Sequence, residues 1–402
     1  MSRFNAMNRA LIGLASGAVA GYAIARAVQA SRPTPQAPPR RDAGAYGRVR
    51  RAFSVSSIVR SSLGTLAFAY GPAGQRLSRA VQPLPEWLAP GAFAALATLA
   101  GSVVELPVSL VEEHRIERRY DLSNQSLNSY LSDAMKATAI EVAVTAVLAI
   151  GAGRLLRRFK RTWPLLAAGG AVVLYALANL VVPVYILPLF NRFDKLEGPL
   201  ETRLRALASR FGVGDADILT MNMSKQTKKA NAFVTGIGTT HRIVIGDTLI
   251  DGFTPEEIEF VVAHELGHYV HRDTWRLIAA AGGVTALLLA VAASLTHDDP
   301  SNDSLRLARI AAVMGLGSNL LRPALSAFSR SREWAADRFA VETTRDPAAG
   351  AAAFARLRDQ NLAEDDVPGW YEFLFASHPS LGKRIAALRD ERVHEGAATD
   401  AR

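Results

Sequence analysis

The stretch TWPLLAAGGAVVLYALANLVVPVYILPLFN at residues 162–191 contains no charged residue in 30 positions. A helix needs about 20 mainly apolar residues to cross a bilayer, so this stretch predicts a membrane span. A second run, LIAAAGGVTALLLAVAASLTH at 277–297, predicts another span. The composition agrees, because 21% of the 402 residues are charged, whereas soluble domains average about 25%. We therefore expect a mainly α-helical integral membrane protein.

Five weaker apolar segments raise the expected number of spans to about seven. They lie at 10–25, 61–75, 87–111, 137–153 and 310–329. Three of them contain one charged residue each, which is Glu105, Glu141 or Arg322. A charge within a span usually faces a bundle interior or a water-filled cavity. Some of these segments fit buried helices equally well, and the segment at 10–25 also fits a cleavable signal peptide.

Charge and cysteine content exclude several functional classes. The chain has 46 Lys and Arg against 37 Asp and Glu, a formal charge of +9. These basic residues cluster in loops beside the apolar segments, where they orient membrane proteins, so we expect no nucleic-acid partner. The absence of cysteine excludes a thiol nucleophile, a disulfide framework and a thiolate metal site.

The distribution of charge divides the chain into four regions. Residues 1–52 contain the first apolar segment and a Pro/Arg-rich linker, and residues 53–191 form an amino-terminal membrane domain. Residues 192–390 form a small α+β domain that contains two further spans, at 277–297 and 310–329. Residues 391–402 are a tail. Within the third region, the alternating runs ADILTMNM, NAFVTGIG and HRIVIGD predict strands.

The pentapeptide His-Glu-Leu-Gly-His at 264–268 carries the chemistry. Upstream, Thr254-Pro-Glu-Glu predicts a helix start, with threonine as N-cap and glutamate closing a capping box. On a helix, His264 and His268 project from one face and can share a metal ion, while Glu265 lies beside them. This pattern is typical of zinc hydrolases, in which the carboxylate acts as general base and then as general acid.

A catalytic zinc site needs three protein ligands, so a third must lie elsewhere. The extended H-E-x-x-H-x-x-G-x-x-H pattern is not followed, because His271 and Thr274 occupy its glycine and third histidine positions. We therefore expect a carboxylate from another helix, and Glu333 is the best candidate. Asp337 shares its helical face and is placed to hydrogen-bond a ligand imidazole. The alternative is a solvated face whose carboxylates pair with neighbouring arginines.

Further motifs recur in the order found in one known family. They are YVHRD at 269–273, SRSREWAAD at 329–337, NAFVTG at 231–236, RIVIGDTL at 242–249, HPS at 378–380 with Arg384, ELP at 105–107 and YDLSNQS at 120–126. With the pentapeptide, they resemble the type I CAAX prenyl proteases, which are multi-span membrane zinc metalloproteases. The resemblance covers residues 90–390 approximately. It implies that His264, His268 and Glu333 bind one Zn²⁺ and that Glu265 is the catalytic base.

The resemblance also implies roles for four other residues. Asp337 would support a ligand or donate a proton, His378 would stabilise the oxyanion, Arg384 would assist it, and Asn231 would hold the substrate backbone. Taken alone, Asn231 also fits a turn at a strand end, and His378 before proline fits a helix start. The family arrangement is a helical ring around a water-filled chamber, with the zinc site at its wall.

The sequence therefore predicts an integral-membrane zinc endopeptidase of a bacterial-type inner membrane or its equivalent. Its partners would be the lipid bilayer and a peptide or protein substrate, prenylated or otherwise hydrophobic. The excess of Lys and Arg places the zinc side in the cytoplasm, although the basic loop at 154–161 opposes this. One alternative is a broad quality-control protease of the heat-shock type. Another is a non-enzymatic membrane scaffold with a vestigial metal site, against which the retained Glu265 argues.

Overall fold

The structure is a computed structural model that describes residues 42–236, 240–297, 299 and 301–399. The apolar segment predicted at 10–25 lies outside these residues. Two parts are distinguished within them. One is a set of long apolar helices, and the other is a helical unit built around a four-stranded sheet.

In the described part of the chain, five helices are long and apolar enough to cross a membrane. They are α1 (Ala43–Tyr70), α3 (Ala89–Ser109, continuing to Arg119), α4 (Leu127–Arg158), α5 (Trp163–Val181, continuing to Leu189) and α9 (Asp273–Leu295). The short helix α2 (Pro72–Val81) connects the first two. Large apolar side chains project outward from these helices, among them Leu165, which is 74% exposed. A helix that is apolar on its outer face suits a lipid environment. The protein is a multi-pass membrane protein.

The predicted number of about seven spans is not confirmed in the described part of the chain. The segments at 87–111, 137–153, 162–191 and 277–297 overlap α3, α4, α5 and α9. The segment at 61–75 overlaps α1, although that helix begins at Ala43 and ends before Gly71. The segment at 310–329 lies within α10 (Asp303–Thr344), which is not among the five. Asn319 and Arg322 interrupt its apolar run and lower its hydropathy.

Two prolines interrupt long helices. Pro107 lies in α3, which continues as a π-helical segment from Leu110 to Ile116. Pro323 lies in the middle of α10, a helix of 42 residues. A proline inside a helix removes one backbone hydrogen bond and its ring displaces the carbonyl four residues earlier, so each marks a place where the helix can bend.

The sheet lies in the part of the chain that follows α5. Its strands are β1 (Phe193–Lys195), β2 (Asp217–Met221), β3 (Ala232–Thr235) and β4 (Arg242–Gly246), in the spatial order β1-β2-β4-β3. Strands β2 and β4 are parallel, and the two outer pairings are antiparallel. The three alternating runs in the sequence supply β2, β3 and β4, so those strand predictions are confirmed.

Several helices surround this sheet and form the main hydrophobic core with it. They are α6 (Pro199–Ser209), α7 (Asp247–Gly252), α8 (Pro255–Val270), α11 (Pro347–Gln360), α13 (Leu381–Thr399) and the end of α10 at Ala340 and Val341. The short helix α12 (Gly369–Phe375) contributes no buried residue to this core. From α8, Phe260 and Leu266 are fully buried. Each such side chain contributes about 1.5–3 kcal/mol through burial, so α8 is held firmly against the sheet.

The start of α8 is fixed by the predicted capping box. The Thr254 hydroxyl accepts a hydrogen bond from the Glu257 backbone N–H at 3.3 Å, and the Glu257 carboxylate accepts one from the Thr254 N–H at 2.8 Å. Further along, Gly267 permits a close approach to α10, because a Cβ at that position would lie 3.1 Å from the Cα of Ala336. These contacts set how α8 and α10 face each other.

Candidate metal centre

Helices α8 and α10 bring the three predicted metal ligands together. His264 and His268 lie one turn apart on α8, with ring centroids 4.8 Å apart and ring planes nearly perpendicular. Glu333 projects from α10 between them. Its Oε2 lies 3.4 Å from His264 Nε2, and its Oε1 lies 3.4 Å from His268 Nε2. One ligand atom from each residue falls within 4.8 Å of the other two.

This group fits a small tetrahedral cation. Ligands bound about 2.0–2.1 Å from a tetrahedral ion lie about 3.4 Å from one another, which matches both carboxylate–imidazole distances. Glu333 is 4% exposed, and its Oε2 has no hydrogen-bond donor among the described residues. A buried carboxylate oxygen without a donor is energetically costly, so a cation at this position would satisfy it. The nitrogen and oxygen donor set is one that zinc accepts.

Each imidazole is also held from behind by a second carboxylate. His264 Nδ1 lies 2.8 Å from Asp337 Oδ1, and His268 Nδ1 lies 3.0 Å from Asp273 Oδ2. Carboxylates in this position fix the ring orientation and leave Nε2 free for a metal. Asp337 has the place predicted for it. Asp273 was missed, although it closes the YVHRD motif, because its contact depends on the turn between α8 and α9.

Arg384 lies behind the metal ligands. It is 6% exposed, donates to Asp337 from Nε at 2.8 Å and from Nη2 at 2.5 Å, and stacks on the ring of Phe354 at 4.0 Å. Its Nη1 lies 3.5 Å from the Glu333 carboxylate. Both guanidinium edges are therefore engaged by protein carboxylates. This geometry ties Arg384 to Asp337, and its implied role in assisting the oxyanion at the substrate stays a prediction.

His378 and Asn231 differ in how directly they join the group. His378, in the loop between α12 and α13, has its Nε2 3.3 Å from Glu333 Oε1, and its side chain is 62% exposed. It therefore stands at the open side of the ligand group. Asn231 is exposed and precedes the edge strand β3, which packs against α8, and its carbonyl accepts a hydrogen bond from Gly246 at 2.9 Å.

Electrostatics in the metal-free group favour a bound cation. Burial and the charge of Arg384 lower the pKa of His264, but Asp337 and Glu333 outweigh them and raise it to about 9. Burial raises the pKa of Glu333, yet its close contacts with the imidazoles of His264 and His268 hold it below its usual range. Burial also raises the pKa of Glu265. The group thus stabilises positive charge at its centre, and burial makes the Glu265 carboxylate a stronger base than an exposed one.

Two models of known protein families together match most of the chain. Residues 194–392 match the model of peptidase family M48. Residues 40–192 match the model described as the CAAX prenyl protease amino-terminal region with five membrane helices. The chain belongs to the CAAX prenyl protease family. The peptidase model matches the second half of the chain, and long apolar helices lie in the first half. The protein is therefore a membrane metalloprotease.

Individual relatives match over about three quarters of this chain. An uncharacterized metalloprotease of Bacillus subtilis, YhfN, is 27% identical over 77% of this chain and 75% of its own length. CAAX prenyl protease 1 of Saccharomyces cerevisiae is 25% identical over 74% and 71%. The rice homologue is 27% identical over 74% and 73%. The match to the CAAX-type amino-terminal half favours the leading prediction over the heat-shock-type and scaffold alternatives.

A solved structure shows that the fold is shared. The crystal structure of S. mikatae Ste24p superimposes with a TM-score of 0.74, covering 92% of this chain and 97% of that one, at 20% sequence identity. The mainly helical membrane architecture with a small α+β unit is therefore confirmed.

Proposed function

We propose that the chain is a zinc-dependent endopeptidase that cleaves prenylated CAAX-type peptides. The observation that carries the proposal is the buried group of His264, His268 and Glu333, whose spacing suits one tetrahedral zinc ion. Bound Zn²⁺ would supply Lewis acidity, which makes water a stronger acid and the scissile carbonyl a better electrophile. The substrate class rests on the relatives named CAAX prenyl protease.

The side chains around the ligands have separable tasks in this proposal. Glu265 takes a proton from the attacking water and later delivers it to the departing amine nitrogen, and its raised pKa suits both steps. His378, at the open side, donates a hydrogen bond to the carbonyl oxygen as negative charge develops on it. Asp337, braced by Arg384, keeps His264 in its metal-binding orientation. Asn231 holds extended substrate at the edge of β3.

Cleavage of matched peptides tests the reaction and the substrate class. Purified, zinc-loaded protein is incubated with a farnesylated CAAX peptide and with its unprenylated twin, and Glu265→Gln serves as the blank. We expect turnover of the lipidated peptide, no turnover by the variant, and equal zinc content in both proteins. Cleavage of both peptides would instead support a broad quality-control protease. Substantial activity of Glu265→Gln would remove the general-base assignment.

Labelling tests the proposed cytoplasmic position of the metal side. The chain contains no cysteine, so a single introduced thiol reports without background. Asp251→Cys lies in α7, just before the metal-binding helix, and Glu86→Cys lies in the loop before α3; both positions are exposed. With an impermeant maleimide on intact cells, we expect labelling at position 86 and protection at position 251. The reverse pattern would place the metal side outside the cytoplasm.

A further inference from the structure

We propose that Asp273 is a positioning residue for His268, which it orients through the imidazole Nδ1 so that Nε2 points at the metal. The proposal rests on the proposed zinc-dependent function, because it assigns a residue to the same metal centre. Asp273 is 2% exposed, and its Oδ2 lies 3.0 Å from His268 Nδ1. On the opposite side of the same ring, Nε2 lies 3.4 Å from Glu333. Asp273 and Glu333 thus fix the two ring nitrogens from opposite sides.

The backbone between α8 and α9 places Asp273 where it can do this. Arg272 has a left-handed conformation, with φ 55°, and Asp273 is the first residue of α9. A non-glycine residue in the left-handed region carries backbone strain, which the surrounding contacts must offset. The turn directs the carboxylate of Asp273 back toward the last turn of α8. Asp273 and His268 are five residues apart in the sequence and lie on different helices, whereas His264 and His268 are one turn apart on the same helix.

The charge of Asp273 is less compensated than that of Asp337. Asp337 receives two hydrogen bonds from Arg384. Asp273 Oδ1, in contrast, is buried without a hydrogen bond from any described residue, and its nearest cationic nitrogens belong to Arg276 at 3.8 Å and Arg332 at 3.9 Å. Negative charge on the outer partner of an imidazole increases the basicity of the metal-facing nitrogen. Asp273 therefore both orients His268 and strengthens it as a ligand.

A purely structural role at the start of a helix is the competing explanation. Acidic residues in the first turn stabilise helices through the helix dipole. Asp303 offers a matched control, because it is the first residue of α10 as Asp273 is the first residue of α9. Asp303 also forms an ion pair, with Arg157 at 2.6 Å, but it has no contact with the three metal ligands. Replacing both residues separates the two roles.

The experiment measures metal binding in the purified full-length protein. The zinc affinities of wild type, Asp273→Ala, Asp273→Asn and Asp303→Ala are compared by competition with a chromophoric chelator. The visible absorption bands of the Co²⁺-loaded proteins report ligand geometry, and melting of the metal-free proteins reports folding. Because no reading depends on cleavage, failure of this proposal is distinguishable from failure of the proposed peptidase function.

We expect Asp273→Ala to weaken zinc binding about 10- to 100-fold and to shift the Co²⁺ bands. Asp273→Asn should lose less zinc affinity, because its amide oxygen still accepts a hydrogen bond from His268 Nδ1. Some loss remains because the amide carries no charge. Asp303→Ala should match wild type in affinity and spectrum. Unchanged affinity in Asp273→Ala would overturn the proposal, and so would equal losses in Asp273→Ala and Asp303→Ala. If Asp273→Ala does not fold, Asp273→Asn provides the test. Wild-type zinc affinity and wild-type Co²⁺ bands in Asp273→Asn would then overturn the proposal.

Discussion

Lowering the pH should weaken metal binding over an unusually wide range. In the metal-free protein, burial and Arg384 disfavour the protonated His264 ring, but Asp337 and Glu333 prevail and raise its pKa to about 9. A metal ion that binds His264 must displace this proton. Metal affinity should therefore fall as the pH falls below about 9, and binding should release about one proton from this residue at neutral pH.

The expected size follows from the pKa. Each pH unit below about 9 costs about 1.4 kcal/mol of binding free energy, or about tenfold in the dissociation constant. Between about pH 9 and about pH 7 the affinity should fall about 100-fold. A histidine with the ordinary pKa of about 6.5 would leave the metal affinity nearly constant over this pH range. Folding stability of the metal-free protein changes in the opposite direction. Protonated His264 contributes about 3 kcal/mol to the free energy of unfolding below about pH 6.5. This contribution is lost as the pH rises through about 9.

Chelator competition across this pH range measures the effect. Calorimetry in buffers of different ionisation enthalpy counts the protons released. Asp337→Asn is the matched variant, because it removes the charge that faces His264 Nδ1 and should move the onset of the pH dependence toward neutrality. A wild-type zinc affinity that stays constant between about pH 7 and about pH 9 would refute the reasoning.

Four other substitutions test the site and the core, the last of them as a control. Arg384→Met should lower the free energy of unfolding by about 3–5 kcal/mol in denaturant titrations, because it removes both hydrogen bonds that the buried Asp337 carboxylate receives from the guanidinium. Unchanged stability with a raised KM would return Arg384 to a role in substrate contact. Glu333→Gln should reduce bound zinc per chain by elemental analysis, and normal metal content would show that another residue is the third ligand. Gly350→Ala would place Cβ 2.4 Å from Phe260 Cζ and should cost about 1–3 kcal/mol. Gly369→Ala has no atom within 4 Å and should leave the melting temperature unchanged.

Local sequence patterns predicted those features that depend on neighbouring residues. The capping box at Thr254 and the shared face of His264 and His268 follow from helical spacing, and both are present in the structure. Glu333 came from the need for a third ligand, and the structure places it between the two histidines. A helix fixes the relative positions of residues three and four apart, so the capping box and the shared histidine face follow from the sequence alone. The position of Glu333 depends instead on the packing of α10 against α8, and its role as a metal ligand stays a prediction.

The sequence patterns did not predict features that depend on tertiary contacts. The placement of Arg384 against Asp337 joins residues 47 positions apart, and no periodicity indicates it. Asp273 reaches His268 only because Arg272 adopts a left-handed turn. Within the described residues, the segment of α10 is the predicted span that is not confirmed, because an apolar run alone does not show whether a helix faces lipid or neighbouring helices.

Pro323 lies ten residues before Glu333 in the same helix, at a position where the missing backbone hydrogen bond allows the helix to bend. From Asp303 to Glu333 a rigid helix is about 45 Å long, so each degree of tilt at its far end would move Glu333 about 0.8 Å. Catalytic groups tolerate displacements of about 0.5 Å. A bend at Pro323 shortens the moving arm to ten residues, about 15 Å, and the same degree moves Glu333 only about 0.3 Å. A tilt of the first half of α10 would therefore displace Glu333 much less with a bend at Pro323 than without one.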